Sequence, residues 1–342
     1  MAAPGEGAPL NFAAASKGDD GAATPLTTIQ VDGQVVMKIV KHCKECMPSL
    51  VTGPLLGLDI GSTLEVTNCF PFPSRSMDDE EADEVEGANY QLEMLHCLRD
   101  VNVDSNTVGW YQSTYLGSYH TEQLIETFLN YAQSIKRCVC LIYDPTRSSQ
   151  GTLALKAIRL TDGFMEMYRA GDVSAEKLTE KGLAWTDVFA EIPVQVRNST
   201  LVSTLMREVA PAGPMTQVDY DRLVLSTNPF LEKNLEFLVD CMDDLAYEAQ
   251  RVSQHQRNVQ RLEAQRAQWI QKRRQENAQR KAAGQEPLPD EEPGNPLFKN
   301  IPEPSRLDTL LITNQIGNYC SQINQFSSQS LQKLYLMQGI QS

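Results

Sequence analysis

The sequence predicts an α/β protein in two parts: a mixed β-sheet domain with helical cover, followed by long C-terminal α-helices that join a bundle with other chains. Three observations carry this expectation. From Thr27 to about residue 195, short β-type runs interleave with helical stretches, the pattern of a mixed sheet covered by helices. Beyond residue 200 apolar residues recur in steps of four and three, the seam of helices that pack lengthwise. And 342 residues with a hydrophobic fraction of 41% are enough for two units with a real core.

Element by element, "TTIQVDG" reads as a short strand closed by a turn, and "QVVMKIVKHCKEC" as a helix, with Val35, Val36, Ile39, Val40 and Cys43 at helical spacing. "VTGPLLGLDI" and "LEVTNCFPFP" are two strands joined by a Gly-Ser turn, a hairpin. The run "DDEEADEVE" is expected to be a solvated loop, within an acidic stretch over 74–88. A helix over roughly 88–101 follows, then the strand "NTVGWYQST" and a helix from Glu122 to Ser134. "RCVCLIYDP" is a nearly continuous apolar run stopped by Asp144-Pro145, as in a strand buried on both faces. "TLALKAIRL" alternates as a half-exposed strand, and "EIPVQVRNS" reads as one last strand.

The expected division is a flexible tail over 1–25, the sheet domain over 26–198 and a helical region over 199–283. Within that region a long helix covers about 230–283, started by Asn228-Pro229. A Pro- and acid-rich linker spans 284–304, and a helix over 305–339 opens with Ser305 and Asp308 three apart, a capping-box arrangement. Leu231, Leu235, Leu238, Met242, Leu245 and Val252 form the four-three stripe of the long helix, and Ile316, Ile323 and Phe326 that of the last one. Two such helices expose more seam than they can hide in each other, so these residues are the candidates for contacts with partner chains.

Composition narrows the function. A net charge of −14 argues against a general nucleic-acid binder, although Arg251 to Lys281 holds nine basic residues against two acidic ones. Within it Arg273 and Arg274 are the candidates for a non-specific RNA contact; Trp269 is the sole aromatic there, so sequence-specific readout is not expected. No run of about 18 apolar residues exists, hence no membrane span is expected. The N-terminal residues have neither a basic start nor an apolar core, so no signal peptide is expected. Eight scattered cysteines fit reduced thiols in the cytosol or nucleus, and a cytoplasmic protein is expected.

Three motifs bear on chemistry. "GLDIGST" looks like a phosphate loop, but it bridges two short strands without a second such loop and reads as a hairpin turn. "HCKEC" offers His42, Cys43 and Cys46 at zinc-like spacing, yet lacks a fourth ligand and places Cys43 on an apolar helix face. The third is "GWYQST", preceded by "SLVTGPLLGL" and followed by "CVCLIYDP", which resembles the MPN (JAB1/MPN/Mov34) domain. Metal-dependent members of that family carry a Glu before the V-x-G-x-L-x-G strand, an H-x-H pair closing the G-W-Y-like strand, and a Ser-x-x-Asp after a short loop.

Carried over one by one, the Glu falls on Leu50, the two His on Gln112 and Thr114, and the Asp on Leu124 or Ile125; only the middle Ser113 matches. Gln and Thr are poor zinc ligands and Leu or Ile is none. The resemblance therefore implies a pseudo-enzyme relative of metal-dependent isopeptidases, with no catalytic residue, no metal and no cofactor. Leu50 is expected to fill the vacated space with apolar packing. With "IQVDGQVVMKIVKHC", "LIYDPTRSSQGTLALKAIRL" and the long helices, the chain looks most like the MPN subunits of eukaryotic translation initiation factor 3. That resemblance implies a non-catalytic scaffold, pairing with the factor's MPN-type f subunit, bundling with PCI-type subunits, and small-ribosomal-subunit binding through the complex. The alternatives are a non-catalytic MPN subunit of the proteasome lid or COP9 signalosome, and a hydrolase with an atypical site such as the Cys pair.

Overall fold

The computed structural model describes residues 25–73, 80–149, 152–171, 173–209, 230–282 and 302–341. The expected tail over 1–25, all but its last residue, and nearly the whole linker over 284–304 lie outside these residues. Strand β1 (Thr28–Asp32) leads directly into helix α1 (Gly33–Glu45), whose buried residues Val35, Ile39 and Cys43 recur in steps of four. β2 (Thr52–Ile60) and β3 (Thr63–Cys69) pair antiparallel across a turn at Gly61, where φ is +63°, a conformation only glycine adopts without strain.

Helix α2 covers Glu80–Asp100, so the acidic stretch expected as a loop over 74–88 is helical from Glu80 onward. The correction has a physical cause. Glu and Ala are strong helix formers, and acids in the first turns complement the positive end of the helix dipole. β4 (Thr107–Ser113), α3 (Glu122–Ser134) and β5 (Val139–Tyr143) follow. Asp144 caps the short α4 (Pro145–Ser148), its Oδ1 accepting from the amides of Thr146 and Arg147. Then come β6 (Leu155–Leu160), α5 (Asp162–Arg169), α6 (Ala175–Lys181) and a 3-10 turn at Trp185–Asp187.

The stretch expected as one last strand is two, β7 (Phe189–Ile192) and β8 (Val194–Arg197), broken at Pro193. Among the described residues eight strands form one sheet in the order β7-β6-β5-β4-β2-β3-β1-β8. β7 and β8 thus stand at opposite edges although one residue separates them in sequence. The sheet must therefore curl until its two edges lie side by side, and Pro193, which has no N–H to add to a ladder, sits at the crossing. Its carbonyl is used: Ile29 N donates to it at 3.0 Å.

Cores form on both faces. Along β5, Val139, Leu141 and Tyr143 enter one cluster with α1, while Cys140 and Ile142 enter the other with α3 and α5. That alternation explains why the strand reads as a continuous apolar run. α7 (Thr200–Val209) leaves the sheet domain with Leu201, Leu205 and Val209 exposed. α8 (Phe230–Ala282) and α9 (Leu307–Gln341) complete the described chain. They run antiparallel, with Phe230 beside Phe326 and Phe237 stacked on Tyr319 at 6.1 Å. Leu307 and Leu311 of α9 insert into the second core. Ser305 Oγ accepts from Leu307 N at 3.3 Å.

Candidate functional site

Of the residues singled out on the family pattern, Gln112, Ser113 and Thr114 stand at the C-terminal end of β4. Ser113 is locked to the chain leaving α1: its amide donates to Val51 O at 2.8 Å and its Oγ accepts from Val51 N at 2.7 Å. Thr114 is buried, its amide bound to Tyr143 O and its Oγ1 donating to Ser118 O, both at 2.9 Å. Gln112 is half-buried and lies opposite Thr52 in the ladder. Leu124 and Ile125 are fully packed on α3, in the cluster that holds Trp110 and Phe128.

Leu50 overturns the expectation that it fills this space: it is 61% exposed. The reason is local. Val51 is pinned to Ser113 and buried in the first core, and neighbours along an extended chain point to opposite sides, so Leu50 faces outward.

The loop after β4, residues 114–120, is where an open catalytic mouth would lie in a metal-dependent relative. Here the C-terminal helices sit on it. Gly117 O accepts from Gln315 Nε2 at 2.9 Å and from Asn318 Nδ2 at 2.7 Å. Gln315 Oε1 in turn receives the His120 ring N–H at 2.8 Å. Gly117 has φ +75°, and a β-carbon on it would collide with the Gln322 side chain, so the close seating of α9 depends on glycine at this place. From α8, Lys233 Nζ donates to Tyr115 OH at 2.9 Å, and Phe237 packs edge-on to Tyr115 while stacking on Tyr319.

Burial dominates the electrostatics around the site. Burial pushes the His120 imidazole down to about 4, against the smaller upward pull of its bond to Gln315, so it is uncharged at neutral pH. His42, whose Nδ1 lies 2.7 Å from Tyr111 OH, is also lowered by burial, and the Tyr111 hydroxyl is pushed up by the same cause. Asp144 is raised by burial despite the amides bound to it. In the "HCKEC" motif burial pushes the Cys43 thiol up to about 12, away from the thiolate a metal needs. Among the described residues no group of three His, Cys, Asp or Glu is placed to hold a metal ion. The donor set at positions 50, 112, 114, 124 and 125 does not fit a zinc ion: one amide, one committed hydroxyl and three alkyl side chains.

The partner-contact candidates are placed unevenly. Leu235 and Met242 are 44% and 56% exposed, while Leu231, Leu238, Leu245, Val252, Ile316, Ile323 and Phe326 are half-buried. The inner face of α8 is rotated by one residue from the leucine stripe. It is built on Phe230, Asn234, Phe237, Cys241 and Glu248, with Asn234 only 1% exposed. On α9 the inner face holds Gln315, Tyr319 and Gln322. Hydrophobic spacing misses Asn234, Glu248, Gln315 and Gln322 because they are polar; the seven-residue spacing of Asn234, Cys241 and Glu248 is the available signal. Arg274 is exposed; the Arg273 side chain is 13% exposed, with its guanidinium 4.9 Å over the Trp269 ring.

Two family models match the chain. One, described as the C-terminal region of eIF3h, matches residues 148–342, and one described as JAB1/Mov34/MPN/PAD-1 ubiquitin protease matches residues 24–137. Curated relatives include the H subunit of eukaryotic translation initiation factor 3 from Arabidopsis thaliana, 58% identical over 96% of this chain and 97% of that protein. The proteins of the same name from Nematostella vectensis and Dictyostelium discoideum are 46% and 45% identical, each over 92% of this chain and 94% and 95% of theirs.

Proposed function

The chain belongs to the eIF3h family, the H subunits of eukaryotic translation initiation factor 3, and from that premise we propose that it is a non-catalytic scaffold of this factor. It helps assemble the complex and supports its binding to the small ribosomal subunit during mRNA recruitment, in the cytoplasm. The MPN domain supplies a platform, and the missing donors at Leu50, Gln112 and Thr114 leave it without metal-dependent isopeptidase chemistry. Its expected neighbours are the MPN-type f subunit, against the sheet domain, and PCI-type subunits against the helices. Arg273 and Arg274 are the candidates for a non-specific ribosomal RNA contact. Among the described residues no helix is long and apolar enough to cross a membrane.

The observation that carries this reading is the length of the helices and the apolar residues they expose. α8 holds 53 residues, about 80 Å at about 1.5 Å per residue. Its pairing of Phe237 with Tyr319 brings the start of α9 level with about residue 249, so α8 runs on for about 50 Å beyond it. Leu235, Val239, Met242 and Tyr247 are exposed on α8, and Leu331, Leu334, Tyr335 and Leu336 on the far end of α9. Apolar surface on that scale marks a binding face.

Gentle purification of the tagged chain with mass spectrometry of its companions tests the proposal. Recovery with other subunits of initiation factor 3 and small ribosomal proteins is expected. Companions from the proteasome lid or signalosome instead, or none, would refute it.

A further inference from the structure

α8 carries 18 charged residues in 53, whereas α9 carries two in 35, Asp308 and Lys333. A helix with one side in water ordinarily lines that side with charge, and a helix with almost none on any side belongs inside a larger body. The first half of α9 is docked in that manner within its own chain. Leu307 and Leu311 enter the second core, Gln315 and Asn318 donate to Gly117 O, and Asn314 Nδ2 donates to Trp185 O at 2.6 Å. Gln315, Asn318, Gln322, Gln325, Gln329 and Gln332 follow one another in steps of three and four, so one row of amides runs along the face turned to the sheet domain. The row outlasts that domain: Gln325 Oε1 still accepts from Arg147 at 2.8 Å, but Gln332 is exposed. Phe326 sits beside Phe230, where α8 begins, and α9 runs on to Gln341, about 22 Å further at about 1.5 Å per residue. Leu331, Leu334, Tyr335 and Leu336 stand exposed on this extension, and Lys333 is its sole charged residue. The uncharged composition thus continues from a half that is covered into a half that is not.

We propose that the far end of α9, residues 327–341, docks into an uncharged slot of a neighbouring subunit, lined by apolar side chains and backbone carbonyls and free of Lys, Arg, Asp and Glu. The inference rests on the scaffold reading above and gives the chemistry of one of its contacts. Neutrality is the deciding feature. A charged side chain of the partner laid against this end would lose its water and find only Lys333 as a counterpart, so its desolvation would go largely uncompensated. Apolar side chains gain by the same move and cover Leu331, Leu334 and Tyr335. Bare carbonyls suit Gln329 and Gln332 as Gly117 O suits Gln315 and Asn318, which continues onto the partner the contact that α9 already makes with its own sheet domain. The centres of protein interfaces are depleted of charge for this reason, whereas a solvated helix face has no cause to be.

The test compares full-length tagged chains by the companions recovered with them. Ser328→Glu/Gln332→Lys places an ion pair one turn apart on two exposed positions and leaves the net charge unchanged. On a solvated helix such a pair is harmless or helpful, so the urea midpoint of the isolated variant should not fall. Recovery of companions should fall about tenfold or more, because the pair must be stripped of water to enter the slot. Ser328→Ala/Gln332→Met, neutral at both positions, should keep recovery within about fivefold of wild type, the scale of one hydrogen bond. Gln256→Glu/Gln260→Lys, at exposed positions of the charge-rich α8, should leave recovery unchanged. Full recovery with the α9 ion pair, or an equal loss with the neutral pair, overturns the uncharged slot. So does a fall in the urea midpoint, which would place these positions inside the chain's own fold. Light scattering should find the isolated wild type monomeric; a dimer that the ion pair dissolves would give this face to a second copy instead. A wild-type chain without companions would refute the scaffold reading itself, whereas the other adverse outcomes leave that reading standing.

Discussion

Gly117 and Gln315 stand 198 residues apart in the chain, and the carbonyl oxygen of the first accepts the side-chain amide of the second at 2.9 Å. That bond joins the sheet domain to its last helix at the place where a catalytic relative would keep its mouth open. Gln315 spends its other end on His120, so one side chain satisfies two buried groups of the β4 loop at once.

Replacing Gln315 by Ala removes both bonds and leaves the His120 N–H without its acceptor. A loss of about 2–3 kcal/mol in urea unfolding is expected, because a buried polar group left unmatched costs more than the bond was worth. Asn318 still reaches Gly117 O, which keeps the figure from being larger. A loss under about 0.5 kcal/mol, the level of an ordinary surface change, would mean that α9 is not anchored here.

Gly117→Ala meets two penalties, a positive φ and a collision with Gln322. It should cost about 2 kcal/mol or more and loosen α9, seen as faster proteolysis between α8 and α9. Gly87→Ala is the contrast: it lies in α2 with nothing within 4 Å of an added β-carbon, and should be neutral or stabilise by up to about 1 kcal/mol.

His120 also predicts a pH dependence. Its folded pKa, about 4, lies below the ordinary value of 6.5, so the unfolded chain binds the proton first as pH falls. The stability tied to its neutral form is fully present above about pH 6.5 and is lost progressively down to about pH 4. Between pH 7 and 5 the wild type should lose about 2 kcal/mol more than His120→Asn. Parallel curves for the two proteins in chemical denaturation would show that the imidazole is not desolvated as described.

Installing the family's ligands tests the site from the other side. Leu50→Glu/Gln112→His/Thr114→His is expected to bind no stoichiometric zinc, as measured by metal analysis after dialysis. Leu50 points outward, and Leu124 and Ile125 leave the position of the fourth group to a packed core. Tight one-to-one zinc would show that the backbone still holds a competent cradle.

Leu235→Glu/Met242→Glu changes two exposed residues of α8. Stability of the isolated chain should move by no more than about 0.5 kcal/mol per site. Recovery of companion subunits should drop sharply, whereas Phe237→Ala, which loses its contacts with Tyr115 and Tyr319, should destabilise the chain itself. A drop in stability without a drop in companions would reverse these two roles.

Much of the fold is legible in local pattern. The Gly61-Ser62 turn announces the β2–β3 hairpin, and the unbroken apolar run of β5 announces a strand buried on both sides. The helical start of the acidic run is hidden when charge is weighed above the helix propensity of Glu and Ala. The split at Pro193 is hidden because neither edge of a curled sheet can be identified until the other edge is in place.

The residues alone determined most of the elements, the presence of an amide and a hydroxyl at Gln112 and Thr114, and the change from sheet to long helix, since each depends on side chains close in sequence. Tertiary structure alone decided that Leu50 turns outward, that α8 buries Asn234 and Glu248 more deeply than its leucine stripe, and that α9 closes over Gly117. Helical periodicity says which residues share a face. It does not say which of two faces, one residue and about 100° apart, meets the rest of the molecule, because that depends on contacts between groups distant in the chain, such as Lys233 and Tyr115, 118 residues apart.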